Sequence, residues 1–235
     1  MKTLNNIKSL DKIATNSTID SILGGGIEKG TITQIYGPPA SGKTNIALTL
    51  AVEVSKNSRK VLYIDTEGGI SIERVKQIAK DNFDVVAENL IVFEPKSFKS
   101  QQMDLRAIEH WLNDNHDDVD LIVIDSIVAL YRSNEKAIKE SNRDMGKQIA
   151  LLTRLSREYP IAILITNQIY SSFDSEGNNN NISPVGGFTL QYGSKTIVEL
   201  AKTNEIGQRI ATIKRHRTIA EGIATNFNIT GNGIE

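Results

Sequence analysis

Five short runs rich in β-branched residues recur along the chain: TITQIYG (31–37), KVLYIDTE (60–67), LIVFEP (90–95), DLIVIDS (120–126) and IAILITNQ (161–168). Their apolar residues are continuous rather than alternating, which marks strands covered on both faces and so a parallel sheet. Helix-length segments separate them, among them KTNIALTLAVEVSK after the first run and SIERVKQIAKD after the second. That βαβα order predicts an α/β domain, a mainly parallel central sheet with helices on both faces. Near the C-terminus, SKTIVELAKT, QRIATIKRH and NFNITGNG predict an antiparallel meander extending the same sheet, with turns at Asn204–Gly207 and Glu221–Gly222. Between the two parts lies SSFDSEGNNNNISPVGGFTLQYGS, Ser171 to Ser194. It is polar and rich in Asn and Gly, and it predicts a long loop of the functional or disordered kind. No internal repeat is evident.

At 235 residues, with 39% hydrophobic and 23% charged, the chain suits one large domain or two small ones. A formal net charge of −1 excludes a globally basic nucleic-acid binder, so any such function must rest on a local patch. The absence of cysteine excludes disulfides, thiol catalysis and cysteine metal sites. MKTLNNIKSLDKIATN at the N-terminus lacks the apolar core of a signal peptide. The most apolar run, VDLIVIDSIVAL (119–130), holds two aspartates and falls short of a membrane span. A soluble, cytoplasmic protein without a membrane partner is expected.

The first strand runs into YGPPASGKTN, which fits G-x-x-x-x-G-K-[ST] with Gly37, Gly42, Lys43 and Thr44 in the fixed places. The glycines let the backbone wrap phosphate oxygens so that N–H groups and a helix N-terminus face the negative charge. Lys43 would reach the β- and γ-phosphates and the Thr44 hydroxyl would ligate Mg²⁺. Pro38, Pro39, Ala40, Ser41 and Asn45 complete the stretch expected to line the nucleotide. A glycine-rich turn with no ligand is the bland alternative. The strand before the motif and the helix after it favour the phosphate reading.

A second element of such sites is an acid at the end of a buried strand that holds the metal. DLIVID supplies Asp125, although aspartates at strand ends also cap turns. Many phosphate-loop ATPases place a glutamate directly after this aspartate, but here the next residue is Ser126. A water-activating base must therefore come from elsewhere. Glu67, at the end of the second strand, is the best candidate, because neighbouring strand ends converge on the nucleotide edge of such a sheet. Asp65 and Glu94 compete with it, and a plain helix-capping role for Glu67 stays open.

STIDSILGGGIEKGTITQIYGPPASGKT, VLYIDTEG…IERV, LIVIDSIVALYR and ILITNQ together resemble the RecA/RadA recombinase superfamily, from about residue 17 to the C-terminus. The resemblance implies a RecA-type P-loop NTPase core over 17–235 behind a short extension, 1–16, with ATP and Mg²⁺ as cofactors. It implies that Glu67 activates water, that Arg74 packs on the adenine, and that Gln168 senses the γ-phosphate and links it to a DNA-binding loop. By their residue types alone, Arg74 would be a solvated helix charge and Gln168 a structural amide.

Two DNA-contacting loops are implied as well. The first is YRSNEKAIKESNR, with Arg132, Lys136, Lys139 and Arg143, whose mixed charge also suits a plain surface. The second is the Asn-rich stretch with Gly186 and Gly187, which carries no Lys or Arg, so that contact there would fall to backbone, asparagine or Phe173. Positive charge gathers later, where Lys195, Lys202, Arg209, Lys214, Arg215 and Arg217 outnumber Glu199 and Glu205. That segment could bind DNA phosphates, reach a neighbouring subunit's γ-phosphate, or merely blunt a strand edge.

The short length and the lack of an N-terminal helix-hairpin-helix domain place the resemblance nearest the archaeal paralogues of RadA. No phenylalanine occurs in the first sixteen residues, where filament-forming relatives carry an aromatic polymerisation motif, and EGGISIER replaces a bulkier Phe-Arg-Pro segment. The implied function is an accessory or regulatory role in homologous recombination and repair, with weak ATPase activity and no strand exchange. Implied partners are single-stranded or branched DNA, a RadA-type recombinase and a junction-resolving nuclease. The rival expectation is a KaiC-like signalling ATPase that works through protein contacts without DNA.

Overall fold

The computed structural model describes residues 9–132, 138–172 and 181–235, with backbone alone at 138–139, 170–172 and 181–183. Its strands are β1 (Lys12–Ile13), β2 (Ile27–Glu28), β3 (Ile32–Tyr36), β4 (Lys60–Asp65), β5 (Leu90–Phe93), β6 (Val119–Asp125), β7 (Ala162–Asn167), β8 (Ile169–Ser172), β9 (Asn181–Pro184), β10 (Thr196–Lys202), β11 (Gln208–Arg215), β12 (Ala224–Thr230) and β13 (Gly233–Ile234). Its α-helices are α1 (Ile19–Ile22), α2 (Lys43–Ser55), α3 (Ile72–Ala79), α4 (Phe83–Asn89), α5 (Phe98–Asn115), α6 (Ala129–Arg132), α7 (Ile138–Glu158) and α8 (Gly187–Gly193).

Nine strands form one sheet in the order β13-β12-β11-β10-β3-β7-β6-β4-β5. From β10 to β5 all neighbours are parallel, whereas β10 to β13 form an antiparallel meander. The expected C-terminal extension of the same sheet is therefore present, joined through β10 to β3, the strand that feeds the phosphate loop. Successive strand residues point to opposite faces, so Val61, Tyr63, Leu121, Val123 and Leu164 enter one core with α2. Leu62, Ile64, Ile122, Ile124, Ile163 and Ile165 enter the other, with Leu105, Ile108 and Leu112 of α5 and Leu152 and Leu155 of α7. Burial on both faces is the reason these strands read as continuous apolar runs.

Two expectations need correction. The stretch 171–194 is not wholly a loop, because its described part contains β9, paired with β8, and helix α8. Leu190 is fully buried, and Gly186 and Gly187, at φ 87° and 54°, turn the chain into α8. Glu67 lies beyond the end of β4 rather than within it, and β6 and β7 stand between β4 and β3. The basic IKRHR segment runs off the end of β11, where Ile213 and Arg215 pair with β10 while the register with β12 stops at Thr212.

The connection from β11 to β12 is held by His216, whose Nδ1 accepts the backbone N–H groups of Thr218 and Ile219, each at 3.2 Å. Burial lowers the His216 pKa, opposed by Glu28 and reinforced by Lys12 and Arg217. Only a neutral imidazole accepts at Nδ1. With its folded pKa below the unfolded value of about 6.5, His216 contributes stability that is complete above that pH and is lost as pH falls through the folded value. The thermal midpoint of the native chain should therefore drop between neutral and mildly acidic pH. A His216→Gln variant, less stable at pH 8 by about 1 kcal/mol, should show a smaller drop. Parallel pH profiles for the two chains would remove this role from His216.

Candidate nucleotide site

Because the sheet is parallel from β10 to β5, the C-terminal ends of β3, β7, β6 and β4 share one edge, and ligands of open α/β sheets bind at that edge. A cavity of about 330 Å³ opens there, lined by Pro39, Ala40, Gly42, Lys43, Thr44, Asn45, Glu67, Asp125 and Gln168. The structure thus brings together residues from positions 39 to 168 that the sequence suggested separately.

The loop after β3 enters α2 through Gly42 at φ 101°, and Ala40 stands at φ 59°. Left-handed residues ahead of a helix N-terminus let successive N–H groups converge, a backbone pattern that suits phosphate oxygens. Gly37 is required for a different reason. A Cβ there would lie 2.5 Å from the Leu200 carbonyl oxygen of β10 and 2.8 Å from Ser41 Oγ. Ser41 is fully buried and does not line the cavity. Lys43 Nζ donates to the carbonyls of Gly37 and Pro38 at 3.0 and 2.9 Å. Its pKa is lowered by burial, against the pull of Asp125 and Glu67, and Lys202 adds to the lowering. Arg209 Nε also donates to the Ala40 carbonyl, at 3.1 Å, so β11 braces the loop from outside.

Asp125 is buried and receives hydrogen bonds from two hydroxyls. Tyr63 Oη donates to Oδ2 at 2.9 Å and Thr166 Oγ1 donates to Oδ1, while the Thr44 hydroxyl is near enough to help stabilise the carboxylate. Burial raises the Asp125 pKa, and these hydroxyls work against that rise. A carboxylate paired with a neighbouring threonine hydroxyl is an oxygen donor set suited to Mg²⁺, which prefers hard ligands and keeps several waters. Tyr63 and Thr166 were not anticipated. Tyr63 precedes Asp65, the β4 partner of Asp125 in the register, by two positions, and Thr166 lies one residue before the end of β7, which pairs with β6. Their roles could be seen only with the register known.

Of the three acids proposed as base, Asp65 is consumed by structure. Its Oδ1 accepts N–H groups of Glu67 and Gly69, each at 3.1 Å, and its Oδ2 accepts that of Ile70 at 2.9 Å. Glu94 is exposed beyond the outer strand β5 and faces Lys96 at 3.9 Å. Glu67 alone of the three lines the cavity. Its Oε1 accepts Gln168 Nε2 at 2.7 Å, and Gln168 Oε1 in turn accepts Arg132 Nη1 at 2.6 Å. A continuous chain of hydrogen bonds therefore runs from the cavity wall to the end of α6, where the first suggested DNA segment begins.

The other suggested residues lie as follows. Arg74 bonds Asn45 Oδ1 through Nε at 2.9 Å and Nη2 at 2.7 Å, and reaches the carbonyls of Gly231 and Gly233 at 3.3 Å. Arg143 is exposed on α7, and Lys202 is exposed at the end of β10. Lys214 pairs with Glu199 at 3.5 Å, Arg217 approaches Glu28 at 3.9 Å, and Arg215 donates to the Gln191 carbonyl at 2.7 Å. Lys136 and Phe173 lie outside the described residues, as does the side chain of Lys139. Among the described residues no His/Asp/Glu cluster forms a further metal site, and no helix is long and apolar enough to cross a membrane.

A parallel sheet with a phosphate loop after one inner strand, an acid closing another and an antiparallel meander beside them defines a RecA-type α/β domain. Sequence comparison gives the same class. The Rad51 family model matches residues 7–235, and the chain belongs to that family. It is 53% identical to the DNA repair and recombination protein RadB of Methanobrevibacter smithii and 50% identical to that of Methanosphaera stadtmanae, each over the full length of both chains. A crystal structure of the RadB recombinase superposes with a TM-score of 0.79 at 34% identity, covering 94% of this chain and 98% of that one.

Proposed function

We propose that this chain is a DNA-binding accessory factor of recombination and repair whose state is set by ATP·Mg²⁺ at the phosphate loop. The hydrogen-bond chain Glu67–Gln168–Arg132 carries the reading, because it connects the nucleotide cavity to a cation at the start of a suggested DNA segment. The family generally uses ATP with Mg²⁺, and the names of the relatives place them in DNA repair and recombination.

In this reading the loop N–H groups and Lys43 hold the triphosphate, Lys43 leaving the carbonyls of Gly37 and Pro38 to do so. Thr44 and Asp125 would hold Mg²⁺, which supplies charge neutralisation on the phosphates. Glu67 accepts the proton of the attacking water, and Gln168 orients the Glu67 carboxylate while relaying its position to Arg132. Arg74, fixed against Asn45, offers a planar guanidinium for the adenine. Turnover is slow and there is no strand exchange, so a RadA-type recombinase or a junction-resolving nuclease is the expected client.

DNA binding falls chiefly to Lys214, Arg215 and Arg217, with Arg132, Arg143 and Lys202 as further cations. Replacing the first three by Ala should lower the salt dependence of single-strand binding. The slope of log affinity against log salt should shrink by about 0.7 for each phosphate that no longer meets a cation. Anisotropy measured on single-stranded, duplex and branched DNA, with and without ATP across a salt series, reads this directly. If the native chain shows no salt-dependent DNA binding, the signalling-ATPase reading replaces this one.

A further inference from the structure

Helix α8 has two unlike faces. Leu190 is fully buried, and a Cβ at Gly193 would lie 2.4 Å from Ile149 of α7, so the helix is pressed tightly onto α7. Its other face presents Phe188 and Tyr192, one helical turn apart and 75% and 70% exposed. Their rings stack, with centroids 6.2 Å apart and planes at 29°. Large apolar side chains scattered singly on a surface need no explanation. A stacked, almost bare aromatic pair on a helix held fast from behind is a different case.

No charged residue occurs from Gly187 to Gly193, so the face itself is neutral. Charge stands beside it: Arg215 Nη1 donates to the carbonyl of Gln191, the residue preceding Tyr192, at 2.7 Å. No carboxylate pairs with Arg215 among the described residues, whereas Lys214, the preceding residue of β11, pairs with Glu199 at 3.5 Å. A cation adjoining open aromatic faces supplies the two components of a single-strand platform, in which bases stack on rings and phosphates meet positive charge. A duplex keeps its base faces covered and cannot use the rings in this way.

We infer that Phe188 and Tyr192 form a stacking platform for the unpaired bases of a single-stranded polynucleotide, with Arg215 beside them for its phosphates. The inference rests on the DNA-binding reading above and adds what that reading lacks, a means of distinguishing unpaired from paired strands. The net charge of the basic segment cannot make that distinction, since both forms carry phosphates.

The test uses the full chain, a fluorescent oligo(dT), an abasic oligonucleotide of equal length and a duplex. A Phe188→Ala/Tyr192→Ala variant should bind oligo(dT) about tenfold or more weakly. Its salt slope should be unchanged, and its affinities for the abasic strand and the duplex should equal those of the native chain. Phe188→Tyr/Tyr192→Phe should restore oligo(dT) binding. Equal oligo(dT) affinity in the Ala variant and the native chain, with salt-dependent binding intact in both, overturns the platform alone. An equal loss on the abasic strand does the same. No DNA binding by the native chain overturns both readings. Loss of self-association in the variant with oligo(dT) binding unaltered would give the face to a second copy and overturn the platform.

Discussion

Glu67→Gln should reduce ATP turnover by about 10²–10⁴-fold and leave ATP affinity nearly unchanged. The amide is isosteric and can keep the hydrogen bond with Gln168 Nε2, now 2.7 Å from Glu67 Oε1, but it cannot accept a proton. Among the described residues no other acid at the site is free to replace it. Asp65 is committed to three backbone N–H groups, and Asp125 is buried under the hydroxyls of Tyr63 and Thr166. Single-turnover hydrolysis and equilibrium ATP binding, measured on the same protein, separate chemistry from binding. An unaltered hydrolysis rate would exclude Glu67 as the base, and the description as an ATPase would then go with it.

Gly37→Ala should damage stability and nucleotide binding together. The added methyl would sit 2.5 Å from the Leu200 carbonyl oxygen, a backbone atom. That carbonyl has no room to retreat, because β10 is paired to β3 on one side, with Glu199 opposite Tyr36, and to β11 on the other. Either the sheet opens or the phosphate loop shifts outward, at a cost of about 1–3 kcal/mol. A displaced loop no longer aims its N–H groups at the phosphates. In a thermal-shift experiment the native chain should be stabilised by ATP·Mg²⁺ in proportion to the logarithm of ligand excess over Kd. Gly37→Ala should melt lower and show little of that increment. Gly231→Ala, where a Cβ meets nothing within 4 Å, should behave as the native chain. Native-like melting and a native-like ATP increment in Gly37→Ala would show that the close approach to β10 is not a constraint.

The two variants probe different kinds of information in the chain. The phosphate loop was legible because its geometry is local: Gly37 to Thr44 is one contiguous turn running into one helix, and its residue types dictate its backbone. The five parallel strands were legible for a similar reason, since burial on both faces forces continuous apolar runs whatever the strand order. Their ends shifted by a residue or more, which left Glu67 and Gln168 just beyond β4 and β7. Helix α8 was missed because a short segment containing two glycines and a phenylalanine has weak intrinsic preference. Burial of Leu190 against α7 decides it instead.

By itself the sequence determined the class of domain, the glycine-rich turn from β3 into α2 and the acid at the end of β6, because each depends on neighbours in the chain. Only the tertiary structure decided what those parts do to one another. Gln168 meets Glu67 across 101 positions, Arg132 meets Gln168 across 36, and Tyr63 and Thr166 reach Asp125 across 62 and 41. Such meetings are set by strand order and register, which follow from packing the whole sheet between its two helical layers. The same packing anchors α8 and leaves Phe188 and Tyr192 facing solvent, an exposure that their residue types alone would not predict.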